Sequence, residues 1–134
     1  MDLIYADAIR TDIGVLKDYK YDLAYGSGEN DFELTVNTSN NVCNEDFLIY
    51  IEHTEYGGII DSIDVDTSAK TIKYKGRTFH GLLDKKIIEP NSGQDYLTLS
   101  GDINVILSTL ISRASLNSIF KASTAITKNI TYKF

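Results

Sequence analysis

Asp31 to Asn37 reads Asp-Phe-Glu-Leu-Thr-Val-Asn, with Phe32, Leu34 and Val36 on one side and Asp31, Glu33, Thr35 and Asn37 on the other. That strict period of two is the pattern of a strand with one buried face. Upstream, Tyr19, Tyr21, Leu23 and Tyr25 alternate with Asp18, Lys20, Asp22 and Ala24, and Gly26-Ser27-Gly28-Glu29-Asn30 separates the two runs. The arrangement predicts a β-hairpin with its turn at residues 26–30. Phe47 to Ile51 is a short continuous apolar run of β-formers, which predicts a strand inside a sheet and covered on both sides.

Tyr56-Gly57-Gly58 opens a further strand, in which simple alternation puts Ile59, Asp61, Ile63 and Val65 on one face and Ile60, Ser62, Asp64 and Asp66 on the other. Asp66 to Lys70 turns the chain, and Thr71 to Lys75 returns with Ile72 and Tyr74 inward. The acidic outer face of one strand then lies beside the basic outer face of the next, which helps to set register. Residues 76–88 predict a short helical turn and an extended exit, and Pro90 to Gly93 a loop.

From Ile103 the apolar period changes. Ile103, Ile106, Leu107, Leu110, Ile111 and Ala114 follow the i, i+3, i+4, i+7, i+8, i+11 series of an amphipathic helix. Ser100 or Asp102 can cap its start, and Arg113 suits the negative end of its dipole. Leu116, Ile119 and Phe120 continue a helical turn, and Ile126, Ile130, Tyr132 and Phe134 restore period two in a final strand without an evident partner.

The chain has 134 residues, 43% of them apolar and 24% charged, which suits one core or a core with a small appendage. A single cysteine cannot form an internal disulfide and leaves no clustered thiols for zinc or an iron–sulfur centre. With 13 Lys and Arg against 19 Asp and Glu the net charge is −6, the wrong sign for a nucleic-acid partner. The N-terminus lacks the basic start and apolar stretch of a signal peptide, and no apolar window is long enough for a membrane helix, so a soluble, cytosolically made protein is expected. One proline beside nine tyrosines and nine glycines favours twisted strands and tight turns over a helical bundle.

Candidate chemistry is sparse. His53 lies in Glu52-His53-Thr54-Glu55, where an exposed turn residue is favoured over a Glu52, His53, Glu55 metal site that lacks further ligands at a recognisable spacing. His80 follows Phe79 and reads as a packing or turn residue. Asp61, Asp64 and Asp66 lack the glycine and terminal glutamate of a calcium loop, and Gly26-Ser27-Gly28 precedes a strand, which fails a phosphate loop. Cys43 could act as a nucleophile only if His53 or His80 folds against it. Tyr19, Tyr21 and Tyr25 share a face that is either core or an interaction surface, since tyrosine gives large contact area at low entropic cost.

The ordered series Tyr-Gly-Gly-Ile-Ile at 56–60, Lys-Thr-Ile-Lys-Tyr-Lys-Gly-Arg-Thr-Phe-His-Gly-Leu-Leu-Asp-Lys-Lys-Ile-Ile-Glu-Pro at 70–90 and Gly-Asp-Ile-Asn-Val-Ile-Leu at 101–107 resembles the N-terminal region of siphophage and prophage tail hub proteins, also called tail-associated or baseplate hub proteins. The opening Met-Asp-Leu-Ile-Tyr-Ala-Asp and Glu-Asn-Asp-Phe-Glu-Leu-Thr-Val at 29–36 are similar to the same proteins in Gram-positive prophages, so the resemblance spans nearly the whole chain. It implies a ring-forming scaffold, commonly trimeric, that joins the tail tube or distal tail ring to the tip. It also implies that residues 1–134 are one N-terminal domain of a longer tail protein, made in the bacterial host cytoplasm and assembled into the virion.

The expected fold is α+β and mainly β: a partly closed β-barrel or bent antiparallel sheet with one amphipathic helix over an open face. The expected function is non-enzymatic assembly with distal tail, tail tube or tape-measure proteins, without catalytic residue, cofactor or metal and with Tyr19, Tyr21 and Tyr25 as the candidate interface. A small cell-wall hydrolase accessory and a carbohydrate-binding module are the alternatives.

Overall fold

The computed structural model describes residues 2–26, 29–125 and 127–134. The chain forms two compact units that divide between Lys85 and Lys86. The first carries strands β1 (Leu3–Ala6), β2 (Asp12–Leu16), β3 (Tyr19–Leu23), β4 (Asp31–Asn37), β5 (Leu48–Ile51), β6 (Gly57–Asp66) and β7 (Thr71–Thr78), followed by helix α1 (Phe79–Asp84). The second carries β8 (Thr98–Asp102), helix α2 (Ile103–Arg113) and β9 (Asn129–Lys133).

The seven strands of the first unit make one sheet in the order β2-β1-β5-β6-β7-β4-β3, antiparallel at every pair. Both edge strands come from one stretch of chain, because only Lys17 and Asp18 separate the end of β2 from the start of β3. Three Cα steps reach at most about 11 Å, whereas the edges of a flat seven-stranded sheet lie about 29 Å apart. The sheet therefore bends until its edges approach at that corner, where the Asn40 side-chain amide donates to the Lys17 carbonyl at 3.2 Å. Among the described residues no β2–β3 ladder forms, so the barrel is not closed.

Bending collects the inward side chains into one core. Leu3, Leu16, Phe32, Leu34, Val36, Cys43, Ile49, Ile60, Ile72 and Tyr74 form it, and Tyr19, Tyr21 and Leu23 pack against it from β3. The buried Tyr74 hydroxyl donates to Asn41 Oδ1 at 3.0 Å, which satisfies the one polar atom that ring brings inside. Phe32 lies opposite Gly76 in the β4–β7 register. A Cβ on Gly76 would sit 1.8 Å from the Ile59 carbonyl oxygen and 2.9 Å from the Phe32 ring, so only glycine lets that ring lie flat on the sheet.

The predicted hairpin is present, with Tyr19 opposite Val36 and Leu23 opposite Phe32. Of its turn, Ser27 and Gly28 fall outside the described residues. The predicted 47–51 strand is β5, flanked by β1 and β6. Simple alternation misassigns β6, because the register shifts between Ile60 and Ser62 and makes Asp61 the extra residue of a bulge. Ile60, opposite Gly76, and Ile63, opposite Tyr74, therefore share the inward face, and Ile59 does not.

Three strands lack a clear period-two signal in the sequence. β1 is a short apolar run, while β2 and β8 each carry a glycine at their middle or near their end, which weakens the period-two signal. The final strand is not unpaired, since β9 pairs with β8 from Thr98 opposite Lys133 to Asp102 opposite Asn129; Ile126 lies outside the described residues. Asp102 is the N-cap of α2, accepting from the Asn104 amide at 2.9 Å, and Arg113 stands in its last turn. Of the predicted helix face Ile106 is buried, whereas Leu107 is exposed. The helix packs on β8 of its own unit. Residues 117–119 form a turn held by Leu116, whose carbonyl accepts from Ile119 and Phe120. No helix among the described residues is long and apolar enough to cross a membrane.

Candidate functional site

The three tyrosines assigned to one face divide. In the β3–β4 ladder Tyr19 and Tyr21 point inward onto the core, and the Tyr21 ring meets the edge of Phe32 with centroids 5.6 Å apart. The Tyr21 hydroxyl is buried without a hydrogen-bond partner among the described residues, and burial pushes its phenol well above the usual tyrosine range. Tyr25 lies past the end of β3, 37% exposed, and is freed from the strand's alternation. Its ring packs edge-to-face on Tyr56 at 5.5 Å and on His80 at 5.0 Å.

Thr78 brings these segments together. It is fully buried at the N-cap of α1, where its hydroxyl accepts from the Gly81 amide at 3.3 Å. Its hydroxyl and its backbone amide each donate to the Asn30 carbonyl at 2.9 Å. Gly81 permits this approach, because a Cβ there would lie 2.4 Å from the same carbonyl oxygen. Asn30, just before β4, is thereby pinned on α1, which carries His80 to Tyr25. In the sequence nothing links Tyr25 to His80, and Tyr56, 31 positions beyond Tyr25, marks only a strand opening.

The remaining candidates stay apart from this cluster. Cys43 is a core residue, and burial pushes its thiol up to about 12, so it stays protonated and unreactive at neutral pH. His53 stands in the turn after β5 with a left-handed φ of 59° and its side chain 89% exposed, 3.6 Å from Glu52. Among the described residues no three His, Cys, Asp or Glu side chains come together as a metal cluster.

The acidic residues of β6 are engaged by its neighbour. The bulge turns Asp61 to the outer face, where its two carboxylate oxygens accept from Arg77 Nε at 2.8 Å and Nη2 at 2.7 Å. This corrects the placement of Asp61 on the face opposite Asp64. Lys75 donates to Asp64 at 2.6 Å and Lys73 to Glu33 at 2.9 Å. Asp66 accepts from the Ser68 hydroxyl and from the Ser68 and Ala69 amides, closing the turn. These contacts hold the Asp64 and Asp66 carboxyls below the usual carboxylate range, Lys75 acting on the first and Ser68 on the second. An open groove of about 740 Å³ runs over this surface, lined by Asp22, Glu33, Asp61, Lys75, Arg77 and Lys85 among others.

Neither a protein-family model, nor a curated protein, nor a solved structure matches the chain.

Proposed function

We propose that the chain is a structural component of a bacteriophage or prophage tail tip or baseplate hub, acting by protein–protein assembly at the end of the tail tube. It works without catalysis, as the N-terminal hub domain of a longer, homo-oligomeric tail protein. Its partners are distal tail, tail tube or tape-measure proteins, and its site of action is the virion tail tip. The ordered motifs from Tyr56 to Leu107 support the reading, and so does a bent antiparallel sheet with neighbouring edges, which suits a partly closed barrel.

The observation that carries the reading is the free edge at β2. Its outward residues Ile13 and Val15 are 51% and 45% exposed, beside Ile9 at 82% in the preceding turn. An unpaired strand edge with β-branched apolar residues is a template for adding a strand from another chain. The one charged side chain of β2, Asp12, accepts from the Tyr50 hydroxyl at 2.8 Å, and the register shift that makes Ile13 an extra residue leaves Gly14 to Leu16 as the regular stretch of the edge.

Light scattering and pull-down with distal tail and tail tube proteins test the proposal. The chain is expected to self-associate or capture one of them, and Ile13→Lys with Val15→Lys to weaken that association at least about tenfold, or about 1.4 kcal/mol. An inert monomer that captures neither partner sinks the proposal.

A further inference from the structure

Tyr25, Tyr56 and His80 come from three separate segments, namely the stretch after β3, the turn before β6 and the first turn of α1, yet their rings form one cluster at the surface. A shallow depression of about 610 Å³ adjoins it, lined by Tyr25, Gly26, Asn30, His80, Leu83 and Asp84. We propose that this depression is a binding site for a neutral saccharide, with the Tyr25 ring as its stacking platform. The inference stands apart from the assembly reading and uses none of the β2 edge.

Exposure first sets these rings apart from the core. Tyr25 and Tyr56 are 37% and 41% exposed and Leu83 is 47% exposed, so the cluster keeps apolar surface in water that the sheet does not need. The support beneath it is rigid, because Thr78 bonds the Asn30 carbonyl twice and Gly81 packs against that same oxygen. Partial burial raises the Tyr25 phenol and the nearby Gly57 amide offsets part of that rise, which leaves a neutral hydroxyl at neutral pH. A platform ordered in advance loses little freedom when a ligand arrives.

The polar rim then selects the ligand. A pyranose has an apolar face of C–H groups and an equatorial rim of hydroxyls. Tyr25 and Leu83 match the face, while the Asp84 carboxylate, the His80 imidazole and the Asn30 side-chain carbonyl, whose Nδ2 already donates to the Gly26 carbonyl at 3.1 Å, supply planar donors and acceptors for the rim. No Lys or Arg is among the described residues that line the depression, which removes the usual grip on phosphate or sulfate. A quaternary ammonium needs several ring faces converging on one point. Among the described residues that line the depression only Tyr25 and His80 are aromatic, too few to build such a cage.

The test is an NMR titration of the isotope-labelled chain with cellotetraose, chitotetraose, maltotetraose and mannotetraose, each alone, with tetramethylammonium chloride and inorganic phosphate as contrasts. At least one tetrasaccharide is expected to shift the Tyr25, His80 and Leu83 resonances saturably. Tyr25→Ala should weaken that binding at least about tenfold, and Tyr25→Phe should retain it, because stacking needs the ring and not the hydroxyl. Asp84→Asn, at the exposed rim, should change affinity without moving the unfolding midpoint, which separates a lost ligand contact from a loosened fold. Silence with all four tetrasaccharides, undiminished binding by Tyr25→Ala, or a response to tetramethylammonium or phosphate alone overturns the proposal.

Discussion

The two sides of the bent sheet meet solvent differently. On the β2 side the register lines up Val15, Ile4 and Tyr50 across β2, β1 and β5, an apolar row ending at the exposed β2 edge. On the β3 side two rows run Asp22, Glu33, Lys75, Ser62 and Lys20, Thr35, Lys73, Asp64, charged at nearly every step. The β3 edge carries the ion pair Lys20–Asp22 at 2.6 Å, whereas the β2 edge exposes Ile13 and Val15 and holds its one charged side chain, Asp12, on the Tyr50 hydroxyl at 2.8 Å. Exposed ion pairs add little stability. On an edge they act differently, because an approaching strand would have to strip water from them. One edge is guarded by charge and the other is open save for the bulge at Ile13, although both belong to one sheet and only two residues separate them in the chain.

The largest expected effect tests whether the open edge is a firm part of the fold. Leu16 is 4% exposed and opposes Leu3, so Leu16→Ala should cost about 3 kcal/mol. Leu23, half-buried on β3, should cost about 1 kcal/mol when cut to alanine. Denaturant unfolding of both variants measures the difference. Equal losses would mean that β2 is loosely held and that its apolar edge reflects fraying.

A smaller effect concerns the inner side of β3. Tyr21→Phe removes a buried hydroxyl that has no partner while keeping the ring on Phe32, so it should raise stability by up to about 1 kcal/mol. A lower unfolding midpoint would show that the hydroxyl is satisfied after all.

The smallest effect belongs to the charged rows. Asp64, paired with Lys75, has its carboxyl lowered on folding, so its contribution is present above the ordinary carboxylate range and is lost as pH falls through the lowered value. Unfolding midpoints followed into acid should drop less steeply in Lys75→Ala than in the parent chain, and salt should shrink the gap. Identical acid profiles would remove the charged rows from any account of stability.

How far the sequence was legible follows from the range of each signal. The β3–β4 and β6–β7 pairs and α2 were readable because their periods are local and the turns between them short. The Asp61 bulge was hidden, since an extra residue inside a strand reverses alternation without changing composition. Tyr25 looked like a fourth member of the Tyr19, Tyr21, Leu23 row, yet β3 ends before it and the next interaction is with Tyr56 and His80. Cys43 sits in a polar stretch, but the backbone around it returns to the sheet and buries it.

By itself the sequence determined the class of fold, because binary patterning selects strand or helix through forces that act within a few residues. It also determined which side chains can carry charge or stack. Tertiary structure alone decided that β2 and β3 become opposite edges of one sheet, that the edges approach without pairing, and that three aromatic side chains from distant segments share a surface. Those outcomes depend on how strands without local markers join the ladder and on the space that Gly76 and Gly81 leave for close approach, both of which exist only once the chain has closed on itself.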